Sequence, residues 1–213
     1  MAKKTKYVCS SCGAQAATWL GKCPVCNEWN TYLEEITEGG SKARKTSVSK
    51  TKPPILIDEI ENKEEQRINC FNDEFNRVLG GGIIPGSLIL LGGEPGIGKS
   101  TLALQIALNI NINVLYVSGE ESPQQIKLRA DRISTKDNKC YIFAETTLEN
   151  ILENVNELKP RIVVIDSIQT IHTEKLESTP GSVSQVRECT AIIQRYAKQT
   201  NISFIIIGHI NKE

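Results

Sequence analysis

The chain has 213 residues, equal numbers of acidic and basic side chains, and a hydrophobic fraction of 39%. This size and composition allow one or two folded domains. The balanced charge gives no general argument for nucleic-acid binding, so any such site must be a local patch. No apolar run of about 18 residues is present, so we expect no transmembrane helix. The N-terminal residues lead into cysteines rather than an apolar stretch, so we expect no secretory signal and a cytoplasmic location.

Two C-x-x-C pairs, separated by ten residues, lie near the start of the chain. The pairs are Cys9 with Cys12 and Cys23 with Cys26. Each pair forms a tight knuckle, and four thiolates close a tetrahedral site, so we predict a structural Zn²⁺ in a ribbon over residues 1–35. So small a segment needs the free energy of metal binding to fold. A redox or disulfide pair is the alternative.

Three aromatic residues accompany the knuckles: Trp19, Trp29 and Tyr32. We expect them to cover the metal site, and the alternative is that they stack on nucleic acid bases. Residues 36–60 then form a polar segment with five lysine or arginine residues between positions 42 and 52. We predict a flexible basic linker, solvated along its length, with weak phosphate attraction as the alternative.

Residues 61–213 alternate short apolar runs with helical patterns. After a strand and short helix over 68–76, we predict strands at 87–91, 114–118, 141–143, 162–166 and 202–208. Helices follow the first four of these strands, and S/T-x-x-E/Q capping boxes begin them at Ser122, Thr146 and Ser182. This order predicts an α/β domain with a mostly parallel sheet and helices on both faces.

The first of these strands leads into a glycine-rich loop, and residues 93–100 match G-x-x-x-x-G-K-[ST]. Its backbone N–H groups and the following helix N-terminus are suited to hold the phosphates of ATP or ADP. Lys99 is expected on the outer phosphates, and the Ser100 hydroxyl on Mg²⁺. The predicted nucleotide-binding residues of the loop are Gly93, Glu94, Pro95, Gly96, Ile97, Gly98, Lys99, Ser100 and Thr101.

Three later strands end in polar residues that we expect at the same edge of the sheet. Asp166 follows an apolar strand, as the Walker B acid does, and is expected to bind Mg²⁺. Glu120 and Glu121 follow another strand, and either carboxylate is suited to activate the attacking water. His209 ends the last strand, where a hydrogen bond to the γ-phosphate and a purely structural role are both open.

These motifs together resemble the bacterial RadA (Sms) family of RecA-like ATPases. The resemblance rests on the four cysteines, the basic linker, and four stretches of sequence. The stretches are Leu79–Ser87, Gly93–Thr101, Val117–Ser122 and Pro180–Cys189. The resemblance implies that Glu120 is the catalytic glutamate, that Asp166 is the Walker B acid, and that His209 replaces a phosphate-sensing glutamine.

The resemblance also implies that residues 169–187 correspond to a DNA-binding loop. Residues 170–182 are mostly polar and lack apolar periodicity, and so long a loop in a folded domain is usually functional or disordered. Lys175 and Arg187 are the candidate DNA contacts, with an ordinary solvated face as the alternative.

By this resemblance the chain is a DNA-stimulated ATPase of recombinational repair that acts on single-stranded or branched DNA in a helicase-like manner. Its expected partners are DNA, recombinase or replication proteins at the ribbon, and copies of itself in a hexamer, with no membrane. The family extends past residue 213 with a Lys-Asn-Arg-Phe-Gly motif, so we expect a truncated chain with weak turnover. An ATP-switched zinc adaptor and a P-loop kinase of a small molecule are the alternative functions.

Overall fold

The structure is a computed structural model that describes residues 4–37, 54–59, 66–133 and 138–209. By its internal contacts the chain divides into two units, residues 1–65 and 66–213. Most of the predicted basic linker, including residues 38–53, lies outside the described residues. No helix within the described ranges is long and apolar enough to cross a membrane.

The first unit contains a small antiparallel sheet. Its strands are β1 (Lys4–Cys9), β2 (Gln15–Ala16) and β3 (Tyr32–Thr37), in the order β2-β1-β3. In the register of β1 and β3, Cys9 lies opposite Tyr32. Each cysteine pair turns back on itself, because Gly13 N–H donates to the Cys9 carbonyl at 2.8 Å and Asn27 N–H donates to the Cys23 carbonyl at 2.9 Å. The buried centre of this small core is formed by Cys9, Cys23 and Tyr32, and the other two cysteines pack against it.

The second unit is built on a five-stranded sheet in which all the strands are parallel. The strands are β4 (Leu88–Gly93), β5 (Val114–Ser118), β6 (Cys140–Ala144), β7 (Ile162–Asp166) and β8 (Ser203–His209). Their order is β4-β8-β7-β5-β6. In the register, Gly93 pairs with His209 and Ser118 pairs with Asp166. The carboxyl ends of four strands thus meet along one edge, as the sequence predicted.

Helices cover both faces of this sheet. The helices are α1 (Asp73–Val78), α2 (Lys99–Asn109), α3 (Pro123–Ile133), α4 (Leu148–Leu158) and α5 (Val183–Thr200). Along β7, Val164 packs in the core cluster that includes α2 and α3, whereas Val163 and Ile165 pack in the cluster with α4 and α5. Because both faces are covered, every residue of β5 and β7 is buried. The predicted α/β fold, with a mostly parallel sheet and helices on both faces, is confirmed.

Local signals located most of these elements. The predicted strands 114–118 and 162–166 have the bounds of β5 and β7, and the other three shift by a few residues. At the start of α3, Ser122 and Gln125 bond each other reciprocally, as a capping box requires. At α5, Ser182 accepts from Gln185 N–H, but the Gln185 side chain turns elsewhere.

Two local predictions were wrong. Thr147, rather than Thr146, is the N-cap of α4, and its side chain makes no capping bond. Glu145 instead accepts from both of these N–H groups, at 2.9 and 2.7 Å, while Glu149 is bonded to Thr173 across the fold. The predicted strand before α1 is reduced to a bridge of one residue pair, Ile68 with Ile83. In the first case, a tertiary partner took the glutamate on which the capping box depended.

Candidate nucleotide site and zinc ribbon

The glycine-rich loop joins β4 to α2 with a backbone that only glycine adopts easily. Gly98 is the N-cap of α2 with a φ of 95°, and Gly96 has a φ of 80°. Residues 94–98 are exposed, so the loop presents an open face at the N-terminus of α2. The N–H groups in the first turn of a helix have no acceptor within that helix, and together with the positive end of the helix dipole they suit a phosphate group.

Lys99 begins α2 and is nearly buried under the loop. Its ammonium donates to the carbonyls of Gly93 at 2.9 Å and Glu94 at 2.7 Å. These bonds hold a positive charge inside the curve of the loop, where the outer phosphates of a nucleotide would lie. Thr101, the last residue of the predicted loop set, is exposed on α2.

Ser100 and Asp166, which are 66 residues apart in the chain, meet at the other side of the loop. The Ser100 hydroxyl donates to Asp166 Oδ1 at 2.9 Å, and the Tyr116 hydroxyl donates to Oδ2 at 2.6 Å. Asp166 is 6% exposed and is the last residue of the predicted strand. A hydroxyl and a carboxylate beside a phosphate loop are oxygen ligands of the kind that Mg²⁺ prefers, so these residues fit that ion.

Tyr116 lies at the centre of β5 and is fully buried beneath the loop. Burial and the charge of Asp166 raise the pKa of Tyr116, so its hydroxyl stays protonated and acts as a donor. Sequence reasoning did not select this residue, although a polar group in the middle of a buried apolar strand is a usable signal.

The two adjacent glutamates after β5 have different partners. Glu120 accepts from the Ser167 hydroxyl at 2.7 Å, and His209 Nε2 lies 3.6 Å from the same oxygen. Glu121 instead forms an ion pair with Arg129 of α3 at 2.9 Å. The partners of Glu120 follow β7 and end β8, the two strands between β5 and the loop-bearing β4, whereas the partner of Glu121 lies on α3.

A short 3₁₀ turn, residues 168–170, follows β7 and packs against the turn that contains Glu120. A Cβ added to Gly119 would lie 2.3 Å from Thr170 Oγ1, so no larger residue fits there without movement. The side chain of Gln169 donates to the His209 carbonyl at 3.1 Å. The segment after Asp166 therefore contacts both polar residues, Glu120 and His209, that the sequence placed at this edge.

One buried amide, the side chain of Gln185, bonds several backbone groups of the predicted DNA loop. Gln185 accepts from Thr173 N–H at 2.9 Å and donates to the carbonyls of Thr173, Leu176 and Ser178 at 3.0–3.2 Å. Lys175, which lies within this segment, is exposed, as is Arg187 in the second turn of α5. These two basic residues are therefore accessible, and the segment that carries Lys175 has an ordered backbone.

The four cysteines of the ribbon converge as predicted. Their sulfur atoms lie within 4.8 Å of one another. Cys9 Sγ is 3.6 Å from Cys26 Sγ, and Cys12 Sγ is 3.5 Å from Cys23 Sγ. Four sulfurs that are each about 2.3 Å from a tetrahedral zinc lie about 3.8 Å apart, so the thiols fit that metal. These side chains support a structural Zn²⁺.

The pKa values of these thiols show why a cation suits the cluster. Burial raises the pKa of Cys23, but the N–H groups of Cys26 and Val25 outweigh it and lower the pKa to about 6. For Cys26, the Glu28 N–H lowers the pKa, but burial and the neighbouring thiols raise it to about 12. Four sulfurs this close do not all ionise without a positive charge between them.

The aromatic residues of the ribbon only partly match the prediction. Tyr32 is buried, with its hydroxyl 3.7 Å from Cys23 Sγ, so it covers the cluster as expected. Trp19 and Trp29 are 53% and 70% exposed, and Lys22 lies 5.7 Å from the Trp29 ring centre. The prediction that both tryptophans cover the metal site was wrong, because the cysteines and Tyr32 already fill the small core.

Comparison with known proteins agrees with this site. The AAA domain family matches residues 58–213, and the rubredoxin metal binding domain matches residues 7–34. The chain belongs to the AAA domain family. The AAA match includes the glycine-rich loop, Glu120 and Asp166, and the rubredoxin match includes the four cysteines.

Three similar proteins are each named DNA repair protein RadA. Those of Halalkalibacterium halodurans and Listeria monocytogenes are 48% identical over 99% of this chain. That of Bacillus subtilis is 47% identical over 100% of this chain. The resemblance inferred from the motifs is therefore confirmed. The chain spans about half the length of these relatives, covering 47–48% of each.

Proposed function

We propose that this chain is the nucleotide-binding part of a Mg²⁺-dependent ATPase that acts in DNA repair. The observation that carries the proposal is the hydrogen bond between Ser100 and Asp166 beside the phosphate loop. A P-loop hydroxyl and a strand-end aspartate in contact are the pair that holds Mg²⁺ in P-loop ATPases. The AAA domain match and the names of the relatives support the ATPase and repair parts of the proposal.

In this proposal, residues 93–101 bind the phosphates of ATP or ADP. The N–H groups of the loop contact the phosphates, and Lys99 exchanges its two carbonyl partners for phosphate oxygens. Mg²⁺, when bound by Ser100 and Asp166, would neutralise charge on the outer phosphates. The partners of Lys99 are backbone carbonyls, so the exchange leaves no buried ion pair broken.

We assign Glu120, and not Glu121, as the general base for the attacking water. The assignment rests on their partners, because Arg129 holds Glu121 whereas the partners of Glu120 follow β7 and end β8. The Ser167 hydroxyl orients the Glu120 carboxylate. His209, at 3.6 Å from Glu120, is suited to sense the γ-phosphate and to transmit its presence to that carboxylate.

The DNA part of the proposal rests on the relatives' names and on the loop after Asp166. Residues 167–170 contact the Glu120 turn and His209. These contacts support the proposal that nucleotide binding repositions the following segment, which carries Lys175. We propose that Lys175 and Arg187 contact the backbone of single-stranded or branched DNA. Movement along DNA in a helicase-like manner and assembly into a hexamer belong to the same proposal.

For the ribbon we propose a docking role toward a recombinase or replication protein. Its support is the four-cysteine centre together with two exposed tryptophans, Trp19 and Trp29. Exposed indole rings are frequent anchors in protein interfaces. A cytoplasmic location stays a prediction made from the sequence.

The test is steady-state ATP turnover by the intact protein, with and without single-stranded DNA. The proposal predicts Mg²⁺-dependent hydrolysis that DNA accelerates, and loss of hydrolysis in Glu120→Gln. Nucleotide binding without turnover in either condition would favour an ATP-switched adaptor. Transfer of the γ-phosphate to a small molecule instead of water would favour a kinase.

A further inference from the structure

Arg129 of α3 lies between two carboxylates at the edge of the candidate Mg²⁺ site. One guanidinium nitrogen donates to Glu121 Oε1 at 2.9 Å, and the other lies 3.9 Å from Asp166 Oδ2. The Arg129 side chain is 21% exposed, and that of Asp166 is 8% exposed. At this burial the charges interact more strongly than they would in bulk water.

One more contact, through Tyr116, ties Arg129 to the same carboxylate. Its second nitrogen lies 3.4 Å from the Tyr116 hydroxyl, which itself donates to Asp166 at 2.6 Å. The third nitrogen, Nε, is buried and has no hydrogen-bond partner among the residues that the structure describes. A buried N–H group without a partner is costly, and the carboxylates of Asp166 and Glu121 offset that cost.

We propose that Arg129 is a positioning residue that neutralises the Asp166 carboxylate while no metal is bound. When nucleotide binds, Mg²⁺ replaces Arg129 as the cation that neutralises Asp166. Glu121 anchors the guanidinium at the correct distance. The inference rests on the proposed function, in which Asp166 binds Mg²⁺. It gives Glu121 and Arg129 a role that the motifs do not assign.

The physical reason is competition between two cations for one carboxylate. Mg²⁺ alone would have to bind beside the guanidinium, whose positive charge repels it. With ATP or ADP bound, the phosphates add negative charge and outweigh this repulsion. Arg129 therefore makes metal binding depend on nucleotide, and a site occupied by Mg²⁺ alone is disfavoured.

The test measures the Mg²⁺ concentration for half-maximal binding of a fluorescent ADP analogue, a readout that does not require turnover. Arg129→Gln removes the competing charge at similar side-chain size, so this concentration should fall by about tenfold. Arg132→Gln is the control, since it removes the same charge from an exposed position on α3. The control should leave the half-maximal concentration within about twofold of the wild-type protein.

Two further variants separate this role from a structural one. Arg129→Lys lacks the fork that reaches both carboxylates but keeps the positive charge. Because the charge is what competes with Mg²⁺, this variant should retain most of the wild-type Mg²⁺ dependence that Arg129→Gln loses. Glu121→Gln releases the guanidinium toward Asp166, so the half-maximal concentration should rise by about threefold. This opposite shift keeps the inference testable if Arg129→Gln does not fold.

The outcomes distinguish failure of the proposed ATPase function from failure of the inference about Arg129. A wild-type protein that binds no nucleotide at any Mg²⁺ concentration would overturn the proposed function together with this inference. Mg²⁺-dependent binding in the wild-type protein, with the same half-maximal concentration in folded Arg129→Gln, would overturn the inference alone. A fall in that concentration for Glu121→Gln would contradict it as well.

Discussion

The Ser167 hydroxyl donates a hydrogen bond to Glu120 Oε1 at 2.7 Å, across 47 residues of chain. Ser167 is fully buried and directly follows Asp166. The bond fixes one carboxylate at the edge of the sheet that carries the phosphate loop. The neighbouring Glu121 is held by Arg129 instead, so the two acids are not equivalent.

This difference predicts unequal effects of two matched substitutions. Glu120→Gln should keep nucleotide affinity but lose hydrolysis by about 10²–10⁴-fold, as expected for a general base. Glu121→Gln should change turnover by less than about tenfold, because its partner is Arg129. Turnover and nucleotide binding are measured in parallel for both variants of the intact protein. If Glu121→Gln loses turnover and Glu120→Gln retains it, the assignment is wrong.

Lys99→Ala tests the phosphate loop. The Lys99 side chain is nearly buried and donates to the carbonyls of Gly93 and Glu94, at the start of the loop. Removing this cation should weaken nucleotide binding by at least about tenfold, because a charge-assisted bond to the phosphates is lost. Titration with a fluorescent ADP analogue measures the change. Lys127→Ala, an exposed lysine on α3, should bind as the wild-type protein does.

Cys23→Ser tests the metal centre of the ribbon. Loss of one of four thiolates should lower zinc content well below one ion per chain and loosen the fold of residues 7–34, while nucleotide binding is unchanged. Zinc is measured by a colorimetric chelator after unfolding. Cys140→Ser is the control, since Cys140 belongs to β6 and not to the cluster. Full zinc occupancy in Cys23→Ser would refute the site.

Lys175→Ala and Arg187→Ala test the proposed DNA contacts. Both residues are exposed near the segment that follows Asp166. Each lost phosphate contact should weaken binding to single-stranded DNA and reduce the slope of log affinity against log salt by about 0.7. Fluorescence anisotropy over a salt series measures that slope for the intact protein. Slopes unchanged in both variants would place DNA on another surface, such as the ribbon or the linker.

Gln185→Leu tests whether one amide orders the predicted DNA loop. The substitution keeps the approximate size of the side chain but removes its bonds to Thr173, Leu176 and Ser178. Leaving buried carbonyls unpaired should lower the free energy of unfolding by about 1–3 kcal/mol. Denaturant unfolding measures this change. Gln194→Leu, at an exposed position on the same helix, should alter stability by less than about 0.5 kcal/mol.

Short-range patterns in the sequence predicted the elements with local causes. The apolar runs of β5 and β7 are continuous because both sheet faces are covered, and their predicted bounds match the structure. The glycines, Lys99 and Ser100 of the loop follow a fixed spacing, and so do the two cysteine knuckles. Within each strand, within the loop and within each knuckle, the residues that determine the structure are close neighbours along the chain.

Other features were decided only by tertiary contacts. The sequence identified Glu120 and Glu121 as equal candidates from spacing. Their partners differ, because the fold brings Ser167 to Glu120 across 47 residues of chain, whereas Arg129 of the next helix, α3, pairs with Glu121. Glu149 left its predicted cap for Thr173 by the same kind of contact. Side-chain direction depends on which partners the fold brings close, and a pattern of neighbouring residues does not contain that information.

The ribbon and the Mg²⁺ edge show the same division. Cysteine spacing alone predicted the four-thiol cluster, whereas the exposure of Trp19 and Trp29 depended on how little core volume the cysteines and Tyr32 leave. Asp166 was recognisable from its strand, but its contact with Arg129 was not. The sequence by itself determined the parallel sheet, the phosphate loop and the metal knuckles, because each follows from local spacing. The tertiary structure decided which charges face one another, because Coulomb interactions depend on distance in space and not along the chain.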